Sequence, residues 1–358
     1  MYRFNGTARR MTLGTYPTMS VAEAHAAHAQ AKLNLTHGED PGAKLVKERY
    51  AHRTASTVNE LAQEYLEKWA KKRKRSWEED ERMLNKDVLP ALGRFKAKEI
   101  TRRDIIKLLD TIVDRGAPIV ANRTFEIVRK MFNFAVERGI LEASPCLNIR
   151  APSAEKQRDR VLNEEEIRAF WNNLDETNMD KGTRLALRFS LVTAQRRGEI
   201  ISMEWSEIEQ ESGWWTIPAH KAKNNLAHRV PLSPLARTIL NEAKKLSGDS
   251  QYIFPSPYSD KHMAPGAVTR ALGRNRELLG VQSFTPHDLR RTAASLMTSI
   301  GISRLVVGKI LNHTESSVTA VYDRHSYDKE KVSALTAWSS KLSSIIFGTS
   351  DNVYQLNR

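Results

Sequence analysis

The sequence has a single cysteine, Cys146, among 358 residues. That rules out an internal disulfide and a cysteine-built zinc site, and it fits a reducing compartment such as the cytoplasm. No stretch approaches ~18 consecutive apolar residues, so neither a transmembrane helix nor a membrane partner is predicted. The opening Met1-Tyr2-Arg3-Phe4-Asn5-Gly6 lacks the apolar centre of a signal peptide. There is no internal repeat, no low-complexity tract and no His-Glu-x-x-His or carboxylate cluster to hold a catalytic metal. Acidic residues are in short supply, 42 against 56 Lys and Arg, which leaves a net charge of +14. A surplus of this kind points to a polyanionic partner, nucleic acid before an anionic membrane surface. Because 40% of the residues are apolar, the chain is not a disordered polycation. Residues 1–50 carry a net +3, residues 51–150 a net +6 and the remainder +5. The charge is thus shared among several folded units rather than placed on one tail.

Residues 7–18 read as a strand ending at Gly14 and Pro17. Ser20 and Glu23 form a capping box for an Ala-rich helix from Val21 to Leu35. Thr57 and Glu60 form a second box, before apolar positions Leu61, Tyr65 and Trp69. The basic run Lys71, Lys72, Arg73, Lys74 and Arg75 follows, and helical periodicity resumes through Met83 and Val88. Thr101 and Asp104 cap a helix holding Ile105, Leu108 and Leu109. Pro118 opens another, with Val120, Phe125, Val128, Phe132 and Ala135 on one stripe. Four helices in residues 56–150 make an all-α unit. The polar, aperiodic stretch 151–158 reads as a linker. Asn163 and Glu166 cap the next helix, and two strands at Trp214–Pro218 and Ala227–Leu232 flank a turn with Lys221, Lys223, Asn224 and Asn225. From Pro234 the pattern is helical nearly to the end. The fold class is mainly α with a small antiparallel sheet.

Four clusters in the last 200 residues carry chemistry-capable side chains. They are Gln195-Arg196-Arg197-Gly198-Glu199, Lys223 in the turn, His287-Asp288-Leu289-Arg290-Arg291, and Asn312-His313 followed nine residues later by Tyr322. Singly, each has a structural reading: a helix-end ion pair, a solvated lysine, a helix-terminal histidine, a half-buried tyrosine. Together, in this order and spacing, they resemble the tyrosine recombinases, the phage-integrase family, and most of all the integrases of prophages and genomic islands. The resemblance covers essentially the whole chain. It implies a partial N-terminal, arm-type DNA-binding-like module at 1–50, whose residues 3–41 correspond to the second half of that domain. It further implies an all-α core-binding domain at 56–150 and a catalytic domain with a C-terminal exchange helix at 159–346.

The resemblance assigns Arg196 and Arg290 as phosphate clamps, Lys223 as the hairpin lysine, His287 and His313 as the two histidines, and Tyr322 as the nucleophile, with Glu199 in support. Chemistry agrees with that set. Tyrosine attack on phosphorus conserves the bond energy in a phosphotyrosyl ester, so neither nucleotide cofactor nor metal is required. Two guanidiniums grip the non-bridging oxygens as charge builds on them. Histidine accepts the tyrosine proton near neutral pH, and lysine protonates the departing 5′ oxygen. Arg197, Arg291, Lys221 and Tyr327 are the neighbouring rivals for these roles. The basic run Lys71, Lys72, Arg73, Lys74 and Arg75, with Arg102, Arg103 and Arg123, is the candidate phosphate-contacting surface. The implied partners are double-stranded DNA carrying attachment sites, further copies of the chain in a tetramer on DNA, and a directionality factor. Val332, Leu335, Trp338, Leu342 and Ile345 form a tail that docks either on its own domain or on a neighbouring protomer. The competing functional readings are a type IB topoisomerase and a non-catalytic DNA-binding protein.

Overall fold

A computed structural model of the chain describes residues 1–43, 46–47, 55–155, 158–313 and 325–348. It divides into two compact units, Met1–Lys156 and Gln157–Arg358. The expected class holds: the elements are mostly helical, with small antiparallel sheets.

The N-terminal segment departs from the predicted strand at 7–18. It is a hairpin of Tyr2–Phe4 (β1) and Thr7–Arg9 (β2), paired from Tyr2↔Arg9 to Phe4↔Thr7. Asn5 and Gly6 make the turn with φ of 48° and 76°. A two-residue turn with both φ values positive matches the right-handed twist of the strands, which is why Asn-Gly occupies it. Residues 10–20 form no strand. Asp40 ties the hairpin to the chain that follows, accepting from Tyr2 Oη at 2.6 Å and pairing with Arg9. The capped helix Val21–Thr36 (α1) buries none of its residues.

The helical part of the first unit begins at the Thr57 capping box. Val58–Tyr65 continues through a π-turn at Leu66–Ala70 into Lys71–Arg73 (together α2). Trp77–Met83 likewise passes through a π-turn at Leu84–Val88 into Leu89–Leu92 (α3). Arg102–Asp114 (α4) and Pro118–Glu137 (α5) complete it. Tyr65, Leu61, Leu84, Ile105, Leu109, Ile112 and Phe132 are almost wholly enclosed at its centre. Two carboxylates are buried with them. Asp80 receives Tyr65 Oη and the Lys74 ammonium, and Asp87 receives Arg115 through two bonds. Cys146 is buried here, and burial pushes its thiol up to about 11.

The second unit builds one core from Glu164–Asn173 (α6), Lys181–Thr193 (α7), Arg197–Ile201 (α8), Pro234–Ser247 (α9), Pro265–Arg274 (α10), Pro286–Ser299 (α11), Arg304–Ile310 (α12) and Asp328–Phe347 (α13). A three-stranded antiparallel sheet, Ile208–Glu209 (β3), Trp214–Ile217 (β4) and His228–Pro231 (β5), lies at one side. The last two match the strands read from sequence, whereas β3 is only two residues long and carries no alternation. Helix α13 docks on its own unit. Leu335, Trp338, Leu342 and Ile345 are buried, and Trp338 Nε1 donates to Leu191 O at 3.0 Å.

Candidate active site

Three turns place the candidate side chains. Helix α7 ends at Ala194, which is left-handed (φ 56°) although it is not glycine. A Cβ in that region costs on the order of 1–2 kcal/mol, strain of the kind stored at functional sites. The reversal lets Arg196 open α8, with Glu199 three residues inside. Glu199 accepts from the Arg196 backbone N–H at 3.1 Å and from its Nη1 at 2.9 Å. This carboxylate, only 4% exposed, therefore fixes both ends of Arg196.

The second turn is the start of α11. Thr285 and Asp288 form a capping box, with Pro286 in the first turn, where its missing N–H has no consequence. His287 and Arg290, three residues apart, share a face. His287 is exposed, whereas Arg290 is 4% exposed.

The third turn closes α12. Asn312 is left-handed (φ 49°), its N–H bonds Lys309 O at 3.2 Å, and His313 N–H bonds Gly308 O at 3.0 Å. These are the two bonds of a Schellman motif, with Asn where glycine is usual. They frame the helix end and set His313 just beyond it. Three carbonyls are left over. Ile310 O accepts from Gln195 Nε2 at 3.0 Å and faces His228 Nε2 at 2.9 Å. Leu311 O accepts from Arg290 Nη2 at 2.5 Å, and Arg290 Nη1 donates to Ala194 O at 2.8 Å. Asn312 O accepts from Arg196 Nη2 at 3.4 Å and Asn224 Nδ2 at 3.3 Å. The two arginines thus share one helix end.

The electrostatics show the same convergence. Burial, then the like charge of Arg196, lowers Arg290 to about 10, so it stays charged at neutral pH. Partial burial of the ring, then Arg291 and Arg290, holds His287 below the usual histidine range. Burial, then Arg290 and Arg196, does the same for His313. Both shifts favour the neutral ring at pH 7. Buried His228 is lowered to about 4 by desolvation. Each guanidinium has five N–H groups. The bonds described above use two from each side chain and hold each fork in a fixed attitude.

Arg196, Glu199, His287, Arg290 and His313 are therefore brought together. Tyr322 lies outside the described residues. The rivals point elsewhere: Arg197 bonds Thr269, and Arg291 pairs with Asp288 at 2.6 Å. Tyr327 caps α13, its ring edge-on to His325 at 4.6 Å. Lys221 and Lys223 separate clearly. The Lys221 ammonium donates to Ser202 O at 2.7 Å, Glu204 at 2.8 Å and Glu207. Burial opposes its charge, but the two carboxylates outweigh it and raise its pKa. Lys223 is exposed at the turn.

In the first unit, Lys71, Lys72, Arg73, Arg75, Arg102, Arg103 and Arg123 are exposed. Lys74 is drawn onto both oxygens of Asp80, at 2.6 and 2.8 Å, and Arg123 spans Glu126 and Glu155. Gln195, His228, Asn224 and Asn312 support the site, a role that sequence reasoning did not assign to them. The one local signal was Asn before His313, a residue that tolerates the left-handed position closing a helix.

Comparison with known proteins is consistent along the chain. Residues 160–329 match the phage integrase family, residues 55–152 the phage integrase central domain, and residues 1–48 an arm DNA-binding domain. The prophage integrase IntA of Escherichia coli K12 is 26% identical over 338 residues, covering 92% of this chain and 81% of that protein. The prophage integrase IntZ of the same strain is 27% identical over 360 residues, covering 97% and 87%. A lambda integrase tetramer bound to a Holliday junction shares the fold, with a TM-score of 0.63 at 21% identity, covering 84% of this chain and 89% of that one. Among the described residues, no helix is long and apolar enough to cross a membrane. With the arginine–histidine cluster assembled as the motifs require, the chain belongs to the phage integrase family of tyrosine recombinases, enzymes that cut and rejoin DNA.

Proposed function

We propose that this protein is the site-specific integrase of a prophage or genomic island, joining and excising the element at attachment sites through a 3′-phosphotyrosyl intermediate. In this reading the scissile phosphate sits against Arg196 and Arg290. The Tyr322 oxygen bonds to phosphorus and passes its proton to a neutral histidine, His287 by its place on the arginine face. The bond from phosphorus to the 5′ oxygen breaks, and Lys223 protonates that oxygen. His313 donates to a non-bridging oxygen, and Glu199 holds Arg196. Rejoining is the reverse, with a 5′ hydroxyl as attacker. The exposed cations of the first unit hold the duplex. By analogy with the lambda integrase tetramer on a Holliday junction, four copies act together, and a directionality factor sets the balance of integration and excision. The setting is the bacterial cytoplasm, at the nucleoid.

The observation that carries this reading is the shared helix end, where Arg196 and Arg290 bond neighbouring carbonyls, Glu199 holds Arg196, and two histidines with lowered pKa lie nearby. A nicked suicide substrate bearing the core site tests it. A covalent protein–DNA adduct is expected in EDTA and absent in Tyr322→Phe. An adduct that persists in Tyr322→Phe overturns the nucleophile assignment.

A further inference from the structure

The turn between β4 and β5 is held at two points, one on each side of Lys223. Below it, Lys221 is pinned by Ser202, Glu204 and Glu207, and Glu207 also accepts from Trp215 Nε1 at 3.0 Å. Above it, Asn224 and Asn312 form a reciprocal amide pair. Asn224 Nδ2 donates to Asn312 Oδ1 at 2.9 Å, and Asn312 Nδ2 donates back to Asn224 Oδ1 at 3.3 Å. Asn224 Nδ2 also reaches Asn312 O at 3.3 Å, the carbonyl that receives Arg196. Leu226 N–H closes on Asn224 Oδ1 at 3.2 Å, so the amide shapes the turn as well as anchoring it. Both asparagines are half-buried.

Asn312 has two separate assets. Its backbone occupies a left-handed position that glycine would adopt more easily. Its side chain does something glycine does not do, gripping the turn that carries Lys223. We propose that Asn224 and Asn312 are a positioning pair that docks the lysine turn onto the helix end holding Arg196 and His313, so that Lys223 meets the leaving oxygen of the phosphate the arginines bind. The pair acts through Lys223 and touches no reacting atom. This rests on Lys223 being the general acid, and the test separates the two ideas.

The test uses single-turnover cleavage on two versions of the core site. One has the ordinary 5′ oxygen at the scissile bond, and the other has sulfur in its place. A thiolate leaves without protonation, so a defect in the general acid disappears on the sulfur substrate. Lys223→Ala is the reference. Asn312→Gly keeps the left-handed backbone and the carbonyl for Arg196 while removing the amide, and Asn224→Ala removes the partner. On the oxygen substrate each asparagine variant is expected to lose about tenfold, the scale of one or two hydrogen bonds. The double variant is expected to lose no more than either single one, because one interaction is removed once. On the sulfur substrate both variants are expected to return to within about twofold of wild type, alongside Lys223→Ala.

If Lys223→Ala is rescued and the asparagine variants are not, the pair does not act through the lysine and the inference fails. If Lys223→Ala is itself not rescued, the general-acid reading fails instead. Equal losses on both substrates with weakened DNA binding, read by gel shift, mark a merely structural role and also overturn the inference. Asn312→Asp supplies a fold control, since it keeps the shape and replaces one donor with an acceptor.

Discussion

Buried charge is handled in one way in the helical unit and in two ways in the second unit. In the helical unit, acids are the enclosed partners. Asp80 and Asp87 have side chains about 3% and 2% exposed, while Lys74 and Arg115 reach in from the surface at 33% and 39%. Each acid is matched by a cation and, for Asp80, by a tyrosine hydroxyl. The second unit buries matched acids too, Glu199, Glu207 and Asp288, but it also encloses a cation, Arg290, whose bonds run to the backbone carbonyls of Ala194 and Leu311 rather than to a carboxylate. Carbonyls fix a guanidinium without cancelling its charge. A matched pair holds a fold together, and a cation held by carbonyls remains available to an anion. In the proposed reaction, the carbonyl-held cation is the one that receives the phosphate.

Breaking one member of each network gives the largest expected contrast. Arg290→Ala is expected to lower single-turnover cleavage by about 10²–10³-fold, the cost of losing a donor to a charged transition state. Asp87→Ala is expected to cost about 1–3 kcal/mol in chemical denaturation, since Arg115 turns to water, while the cleavage rate of the folded protein stays as in wild type. Reversed phenotypes would remove the distinction.

Next in size is a pH effect from His228. Its folded pKa, about 4, lies below the ordinary value of about 6.5 in the unfolded chain. The unfolded state therefore binds the extra proton between those values. The stability this contributes is complete above pH 6.5 and is lost as pH falls toward 4, by about 3 kcal/mol. His228→Gln is expected to flatten that part of the stability profile. Catalysis should follow the same sign. With His287 and His313 both held below the usual range, the acid limb of the cleavage profile is expected below pH 6.5. A limb above 6.5 would mean that neither ring is the acceptor as described.

The smallest effects lie on the surface. Lys72→Ala, Arg102→Ala and Arg103→Ala should each reduce the salt-dependence slope of DNA binding by about 0.9. Lys74→Ala should leave the slope nearly unchanged and lower stability instead, because its ammonium already serves Asp80. Salt titrations of gel-shift affinity distinguish the two kinds of cation.

What the sequence made legible was what is local. The boxes at Ser20, Thr57, Thr101 and Asn163 need only three residues of separation, and each closes as read. The cluster of Arg196, His287, Arg290 and His313 was legible by another route, the resemblance of its motifs to those of the phage-integrase family, and not by any local rule. The N-terminal hairpin was legible in Asn5-Gly6 and was misread as a single strand further on. The two-residue β3 and the π-turns leave no periodic trace in so few residues. The supporting bonds were beyond reach for a different reason. Asn224 and Asn312 are 88 residues apart, Gln195 and Ile310 115, and nothing local in either asparagine names its partner. The choice between Lys221 and Lys223 has the same origin, since only the fold shows that Glu204 and Glu207 take one of them.

The central claim is that Arg290, held by carbonyls and left charged, neutralises a non-bridging oxygen of the scissile phosphate. Its most direct test replaces that phosphate with a methylphosphonate, which lacks the negative charge, and compares wild type with Arg290→Ala in single-turnover cleavage. The deficit of Arg290→Ala is expected to shrink by at least about tenfold on the uncharged substrate. An equal deficit on both substrates would contradict the claim.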